Sequence, residues 1–350
     1  MRATWRRLAL LLLLAMPPDG RAAEALRLGY AVGPDRATVG LVLRRWAQGL
    51  TLRPESGLEV RVAPAPAATE ELRSGLVDGT VDVAWLPLDQ LAAAPHPLQL
   101  LELPLRGRPG EVIGRAAAGL LASEQWHEVG PFTLLLAVGE APLWLHGRSG
   151  IADGELAGLR VLAPTRPMQA WVERLGAVAT GSGADADAIL LSWGGLALEP
   201  DAALTDHLQL GAPPERAAAL APALATRLGA LAMRRDRLGA LPDAARQALR
   251  DSVDAEVAAV AGRGFDQVDR LARERARGGG QTLYRVDPAR APAWRAAARA
   301  VEEGLMDALT AQGLDAAALW RAAQVAVARA SAVRSDEVRS RVPPRHLAGG

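Results

Sequence analysis

The chain has no cysteine, no lysine and no asparagine. Without cysteine there is no disulfide, no thiolate metal site and no cysteine nucleophile. All 40 basic residues are arginine. With the heavy use of Ala, Gly and Pro, this reads as the imprint of a GC-rich coding sequence rather than as a functional signal. Five histidines are too few for a His-rich metal cluster, and His127, His146 and His207 have no partner at ligand spacing. They read as packing or surface residues. Base and acid nearly cancel, 40 against 39, so there is no concentrated basic surface for nucleic acid. Beyond the N-terminal segment no run of 18 apolar residues exists to cross a bilayer as a helix.

Catalytic arrangements are equally scarce. Asp185 and Asp187 are two residues apart and would not face each other on a helix. Gly278-Gly279-Gly280 lacks the strand-Gly-helix context of a phosphate loop. The expectation is therefore no enzyme, no cofactor and no metal.

What is present begins with the N-terminus. Arg2, Arg6 and Arg7 precede the apolar run Leu8 to Met16, and Ala23-Glu24-Ala25 follows. A positive region, a short apolar region and a small-x-small site make a secretory signal over residues 1–25. Cleavage is expected after Ala25, with Ala22 as the second choice. No cysteine follows to take a lipid anchor, so the mature chain is expected in the periplasm. Cleavage after Ala25 removes four Arg, one Asp and one Glu, leaving 36 basic against 37 acidic residues.

Half of the chain is hydrophobic, which is ample for a packed core, and 350 residues suggest two domains or lobes. Leu26 to Val32 alternates as a half-buried strand. Leu58 to Val62 and Val81 to Trp85 read as two more, with helices between them. Leu98 to Leu103 reads as a fourth strand, 109–128 as a helix and Phe132 to Val138 as a buried strand. The order β-α-β-α-β predicts a parallel sheet with helices on its faces. The pattern restarts at 157–175, so a second α/β lobe is placed over 138–224. The first lobe is 26–137, with a return segment at about 225–277; the second returns at about 281–330. Strong helical periodicity runs from Leu241 to about Arg277. A last helix is expected from Asp315 to about Ala328, and 331–350 reads as a loose tail. Two α/β lobes and a long late helix fit a hinged clamshell.

Several segments together resemble the extracytoplasmic solute-binding proteins of TRAP transporters (the DctP-type family). They are Glu71 to Ala84, Leu101 to Leu105, Leu156 to Pro164 with Arg174 to Ala177, and Leu241 to Leu249. The resemblance implies a two-lobed periplasmic-binding-protein fold with parallel-core sheets and hinge strands. It implies capture of a small organic solute, most often an organic acid, and delivery to membrane permease subunits by a monomer. The alternative function is a divergent sensor or interaction module of the same fold that does not serve transport.

One departure bears on chemistry. The family's strand after Gly158-Leu159-Arg160 carries an arginine whose planar fork holds the ligand carboxylate; here that position is Leu162. The family's later Asn before Pro falls on Glu199. Arg166, four residues past Leu162, is the replacement expected to reach the cleft. Trp85 and Trp193 lie near strand ends, where open α/β sheets bind ligands and where an indole can stack on a solute. Tyr30, late in the first strand, and Glu70, opening the second helix, complete the expected ligand set: Tyr30, Glu70, Trp85, Arg166, Trp193 and Glu199.

Overall fold

Alternation of Leu26, Leu28 and Tyr30 with smaller or charged neighbours produces strand β1 (Glu24–Tyr30). The computed structural model describes residues 23–341, apart from 32, 34–35, 92–93, 124–125, 149–150, 152, 182, 184, 199–203, 205, 210–222 and 280–281. Most of the expected signal segment, residues 1–22, lies outside the described residues. Helix α1 (Arg36–Thr51) buries Val39, Leu43, Ala47 and Leu50 at helical spacing. Strand β2 (Leu58–Val62), helix α2 (Thr69–Asp78) and strand β3 (Val83–Pro87) follow. β1 runs parallel between β2 and β3, with Leu28 opposite Val62 on one side and Val83 on the other. This is the β-α-β-α-β unit the sequence predicts.

The expected fourth strand, Leu98–Leu103, is instead a 3-10 turn over Pro97–Leu101. Pro97 has no N–H for a ladder. His96 caps the turn, its ring accepting from the Leu98 N–H while the Gln99 side chain accepts from the His96 N–H. The helix expected over 109–128 is shorter: α3 spans Gly110–Leu121. Beyond it, β4 (Glu128–Val129) folds back onto β5 (Phe132–Gly147), pairing Val129 with Phe132. Gly130, at φ 57°, makes the turn that only glycine adopts cheaply.

The rest of the chain adds β6 (Arg160–Leu162), α4 (Arg166–Arg174), β7 (Val178–Thr180), β8 (Ala188–Leu191), α5 (Trp193–Leu198), β9 (Asp206–Gln209) and β10 (Ala225–Arg234). Helices α6 (Arg235–Ala240), α7 (Asp243–Asp251) and α8 (Ala255–Gly278) follow, then β11 (Thr282–Arg285), α9 (Ala291–Ala311) and α10 (Ala316–Arg341). The last helix therefore runs through much of the stretch read as a tail. No proline or glycine occurs from Ala316 to Arg341 to stop it.

The strands form one curled sheet with two halves. β2, β1, β3, β10 and β5 make the first lobe; β8, β6 and β7, with β9 and β11 beside them, make the second. β5 belongs to both. Its Phe132–Leu143 portion pairs with β10, and Trp144–Gly147 pairs with β8 and β9. The sequence reading ended this strand at Val138, where the lobe boundary was expected. The strand instead passes through the boundary, because its apolar run continues to Leu145.

Two contacts fix the outer layers. Trp171 of α4 and Trp294 of α9 meet edge to face at 4.9 Å, both fully buried. Their indole N–H groups donate to Trp294 O and Gly154 O, so neither large ring leaves a polar atom unpaired. On the other side α8 crosses α3 backbone to backbone. A Cβ placed on Gly262 would lie 2.4 Å from the Gly110 carbonyl carbon, so glycine is required by the approach.

Candidate functional site

Strands β1 and β3 point their carboxyl ends at the same edge of the sheet, the edge at which open α/β sheets bind ligands. Trp85, two residues before the end of β3, is 2 % exposed and packs its ring against Gly229 of β10, where a Cβ would meet it at 2.3 Å. Arg36, Trp85, Pro87, Glu140 and Arg227 line a cavity of about 20 Å³ there. That is room for about one water molecule.

Charge is concentrated around this cavity. Arg227 of β10 donates from Nε to Glu140 Oε2 at 2.6 Å, and its Nη2 contacts the same oxygen. Both side chains are largely buried, in the middle of two strands made mostly of apolar residues. Asp89 stands just past the end of β3 and is 3 % exposed. Its Oδ2 is 3.4 Å from the Gln90 amide, and its Oδ1 has no hydrogen-bond partner. Burial pushes the Asp89 carboxyl up, against the pull of Arg227 and Arg166. Glu102 is fully buried behind it. Its Oε1 accepts from the Leu228 N–H at 2.8 Å, and its Oε2 has no partner. Burial first and the neighbouring Asp89 second drive the Glu102 carboxyl well above the usual range.

The second lobe reaches this edge through Arg166. Thr165 caps α4, its hydroxyl accepting from the Met168 N–H, and Pro167 favours the helix start. Arg166 is thus the first helical residue, and its Nη2 donates to the backbone oxygen of Asp89 at 3.1 Å. Leu162 sits half-buried at the end of β6, opposite Thr180 and Ile189.

The expected ligand residues fall into three groups. Trp85 lines the cavity and Arg166 reaches its neighbour Asp89. Tyr30 and Trp193 are instead packed inside. Tyr30 is 4 % exposed in the core under α1, its hydroxyl beside Gly40. Trp193 starts α5 against His146 and His207, with ring centroids at 4.9 and 4.6 Å. Glu70 is exposed and pairs along the helix with Arg73 at 3.3 Å. Glu199 lies outside the described residues. Sequence reasoning passed over Asp89, Glu102, Glu140, Arg36 and Arg227. A signal existed for two of them: Glu102 and Glu140 are lone acids inside apolar runs, where a charge needs a reason to be buried.

A second buried polar group lies in the other lobe. His146 Nδ1 and His207 Nδ1 are 2.9 Å apart, and His146 Nε2 is 3.1 Å from the Leu191 oxygen. A carbonyl only accepts, so His146 carries its proton on Nε2 and accepts at Nδ1 from His207. Burial drives the His146 ring down to about 3, so it stays neutral. Among the described residues no group of three His, Asp or Glu side chains could hold a metal ion. A larger groove of about 660 Å³ runs over Leu156, Trp294 and Ala297 between charged Arg174 and Arg290. It lies on helix sides, away from the strand ends, and Arg290 is already paired with Asp153 and Glu155.

No protein-family model matches the sequence, and no curated protein does. Solved structures do match the fold. A TRAP periplasmic solute-binding protein from Bordetella bronchiseptica, with bound (R)- and (S)-mandelate, superposes with a TM-score of 0.74 at 20% identity. The match covers 87% of this chain and 99% of that one. A TRAP solute-binding protein from Rhodoferax ferrireducens, in complex with copurified benzoate, gives 0.72 at 19% identity, covering 89% and 99%. A TRAP periplasmic solute-binding protein from Pseudomonas aeruginosa, with bound L-malate, gives 0.64 at 15%, covering 80% and 99%. The fold is therefore that of the two-lobed TRAP solute-binding proteins. No helix among the described residues is long and apolar enough to cross a membrane.

Proposed function

We propose that this chain is an exported, monomeric solute-binding protein that captures a small organic solute between its lobes and delivers it to TRAP-type permease subunits. It works in the periplasm, by closure rather than by chemistry, and needs no cofactor. The observation that carries the reading is the hydrogen bond from Arg166 of the second lobe to Asp89 of the first, at the carboxyl ends of the parallel strands. Two lobes sharing β5 meet there around Trp85, Glu140 and Arg227. A solute that touches both sides stabilises the closed arrangement over the open one. The cavity of about 20 Å³ is far too small for an organic solute, so entry requires the lobes to part.

The neighbours with bound mandelate, benzoate and malate support a small organic ligand. Leu162 argues that the carboxylate is not held in the family's way. A thermal-shift screen of the mature protein tests the proposal. A solute at 100 times its Kd stabilises the fold by about 2.7 kcal/mol. X-ray scattering of the same sample should show compaction with that solute. Stabilisation without compaction, or a broad screen and a native mass spectrum that both reveal no solute, would overturn the reading.

A further inference from the structure

We infer that Glu140 sets the charge of the solute: it fills the fork of Arg227 from within the protein, so the cleft takes an organic solute without a free carboxylate. The inference rests on the cleft being the solute site proposed above, and it names what that site selects.

The backbone is shaped around this pair. Between the matched positions Thr226–Pro142 and Leu228–Gly139, β10 contributes one residue, Arg227, and β5 contributes two, Glu140 and Ala141. Such a bulge breaks the ladder and re-aims a side chain, as bulges do beside functional sites. Gly229 completes the seat. A Cβ there would stand 2.8 Å from Glu140 Oε1, besides meeting the Trp85 ring. The Arg227 and Glu140 side chains are only 15 % and 4 % exposed, and both residues line the cavity at the strand ends. Desolvation offsets much of the attraction in a buried ion pair, so stability alone is a weak reason for placing one here.

Specificity is the stronger reason. Nε and Nη2 of Arg227 both meet Glu140 Oε2. An arginine fork grips a carboxylate through such a pair of donors. The other two arginines at this edge are engaged as well. Arg36 Nη1 donates to Gly33 O at 3.2 Å, and Arg166 Nη2 donates to Asp89 O at 3.1 Å. A solute carboxylate that took Arg227 would have to displace an acid tethered beside it. That acid would then stay buried without its counter-charge. With Glu140 left in place, the solute carboxylate would meet a like charge. A solute with amide, hydroxyl or apolar groups in that position meets neither cost.

Acid and amide probes of matched shape test this: acetate with acetamide, benzoate with benzamide, and mandelate with mandelamide. Titration calorimetry on the mature protein and on Glu140→Gln reads the affinities. The variant removes the negative charge with little change of shape, and circular dichroism with urea unfolding checks that it folds. At least one acid should bind Glu140→Gln about 30-fold or more tighter than it binds the parent. The matching amide should gain nothing, and adding Arg227→Gln should abolish the gain. If Glu140→Gln does not fold, Glu140→Asp, which keeps the charge on a shorter arm, should show a smaller gain of the same kind. Acids bound as tightly by the parent as by the variant would overturn the inference and leave the solute-binding reading standing. So would an equal gain for acid and amide. Absence of any gain, in whichever variant folds, overturns it too. The solute-binding reading is then judged separately, by native mass spectrometry of solute carried through purification.

Discussion

Asp266 and Asp269 stand one turn apart on α8, and each holds the start of a different helix. Asp266 accepts from the Gly110 and Glu111 N–H groups at 2.7 and 3.1 Å, capping α3 beside the first-lobe sheet. Asp269 accepts from the Trp193 N–H at 2.6 Å and from that of Gly194, capping α5 in the second lobe. A carboxylate at a helix start satisfies unpaired donors and complements the dipole. One face of one helix therefore pins elements from both lobes.

The two caps carry a pH signature. Burial pushes Asp269 up to about 7, against the N–H groups it accepts and Arg273. Asp266 is pushed up to about 6, with Arg334 opposing and Glu111 assisting. An unfolded aspartate titrates near 3.8. Between there and pH 7 the folded chain holds protons the unfolded chain has shed, so this contribution is lost as pH rises through the folded values. His96 and His146, held down to about 4 and about 3 by burial, work oppositely and remove stability as pH falls below 6.5. Comparison with Asp269→Asn separates the two effects. The stability of the parent relative to this variant should fall by roughly 2–3 kcal/mol between pH 5 and pH 8. Urea unfolding at both values measures it; an unchanged difference refutes the assignment.

Two glycines of α8 should respond to alanine with opposite signs. At Gly262 a Cβ would meet the Gly110 and Glu111 backbone at 2.4–2.5 Å, which neither helix can yield without moving apart. Gly262→Ala is expected to cost about 1–3 kcal/mol or more. At Gly264 nothing lies within 4 Å of the added carbon. Gly264→Ala should stabilise by about 0.5–1 kcal/mol through helix propensity and a less free unfolded chain. Chemical denaturation midpoints decide both.

The N-terminus of the mature protein follows from strand β1. The preferred cleavage site, after Ala25, falls inside that strand. Glu24 opposes Leu58, its N–H donates to Gly57 O at 2.7 Å, and its carboxylate meets Arg237 Nη2 at 2.6 Å. Arg237 in turn holds the buried Asp82 at 3.0 Å. Cleavage after Ala22, with Gly20 and Ala22 as the small residues, preserves all of this. The exported protein should begin at Ala23, which its intact mass reports. A mass beginning at Leu26 would show that the strand tolerates losing its first two residues.

Periodicity carried most of the architecture. β1, α1, β2 and the late helices were legible because each buries one face at a fixed spacing, as Val39, Leu43 and Ala47 do. Leu98 to Leu101 misled because an apolar run looks alike whether it is buried as strand or as turn, and Pro97 decided the matter. The extent of β5 was hidden because a strand shared by two lobes has no turn to mark the boundary. The site was less legible than the fold. Trp85 and Arg166, singled out by type and position, lie at the small cavity and against the Asp89 backbone. Tyr30 and Trp193 share the residue type but face the core, and no one-dimensional spacing distinguishes a strand-end aromatic that looks into a cleft from one that looks under a helix. Arg227 and Glu140 lie 87 positions apart and become a pair only through the β5–β10 register, in which Gly139 faces Leu228.

Arg166 provides the most direct test of closure. Its hydrogen bond to Asp89 O links side chain to backbone across the lobes, so a change at Asp89's carboxyl leaves it in place and a change at Arg166 removes it. A hydrogen bond with a charged donor contributes about 1.5–3 kcal/mol. Its loss should shift the closed-to-open ratio of the solute-free protein by roughly tenfold or more in favour of open. Arg166→Ala is therefore expected to raise the radius of gyration in X-ray scattering without lowering the unfolding midpoint much, since Arg166 itself is exposed. It should also weaken any solute that binds the parent, because closure then starts from a less populated state. Arg166→Lys keeps the charge but not the planar fork, and should recover only part of the effect. Identical scattering and identical solute affinity for Arg166→Ala and the parent would mean that closure does not depend on Arg166 and rests on other contacts, such as the Arg106–Glu302 ion pair.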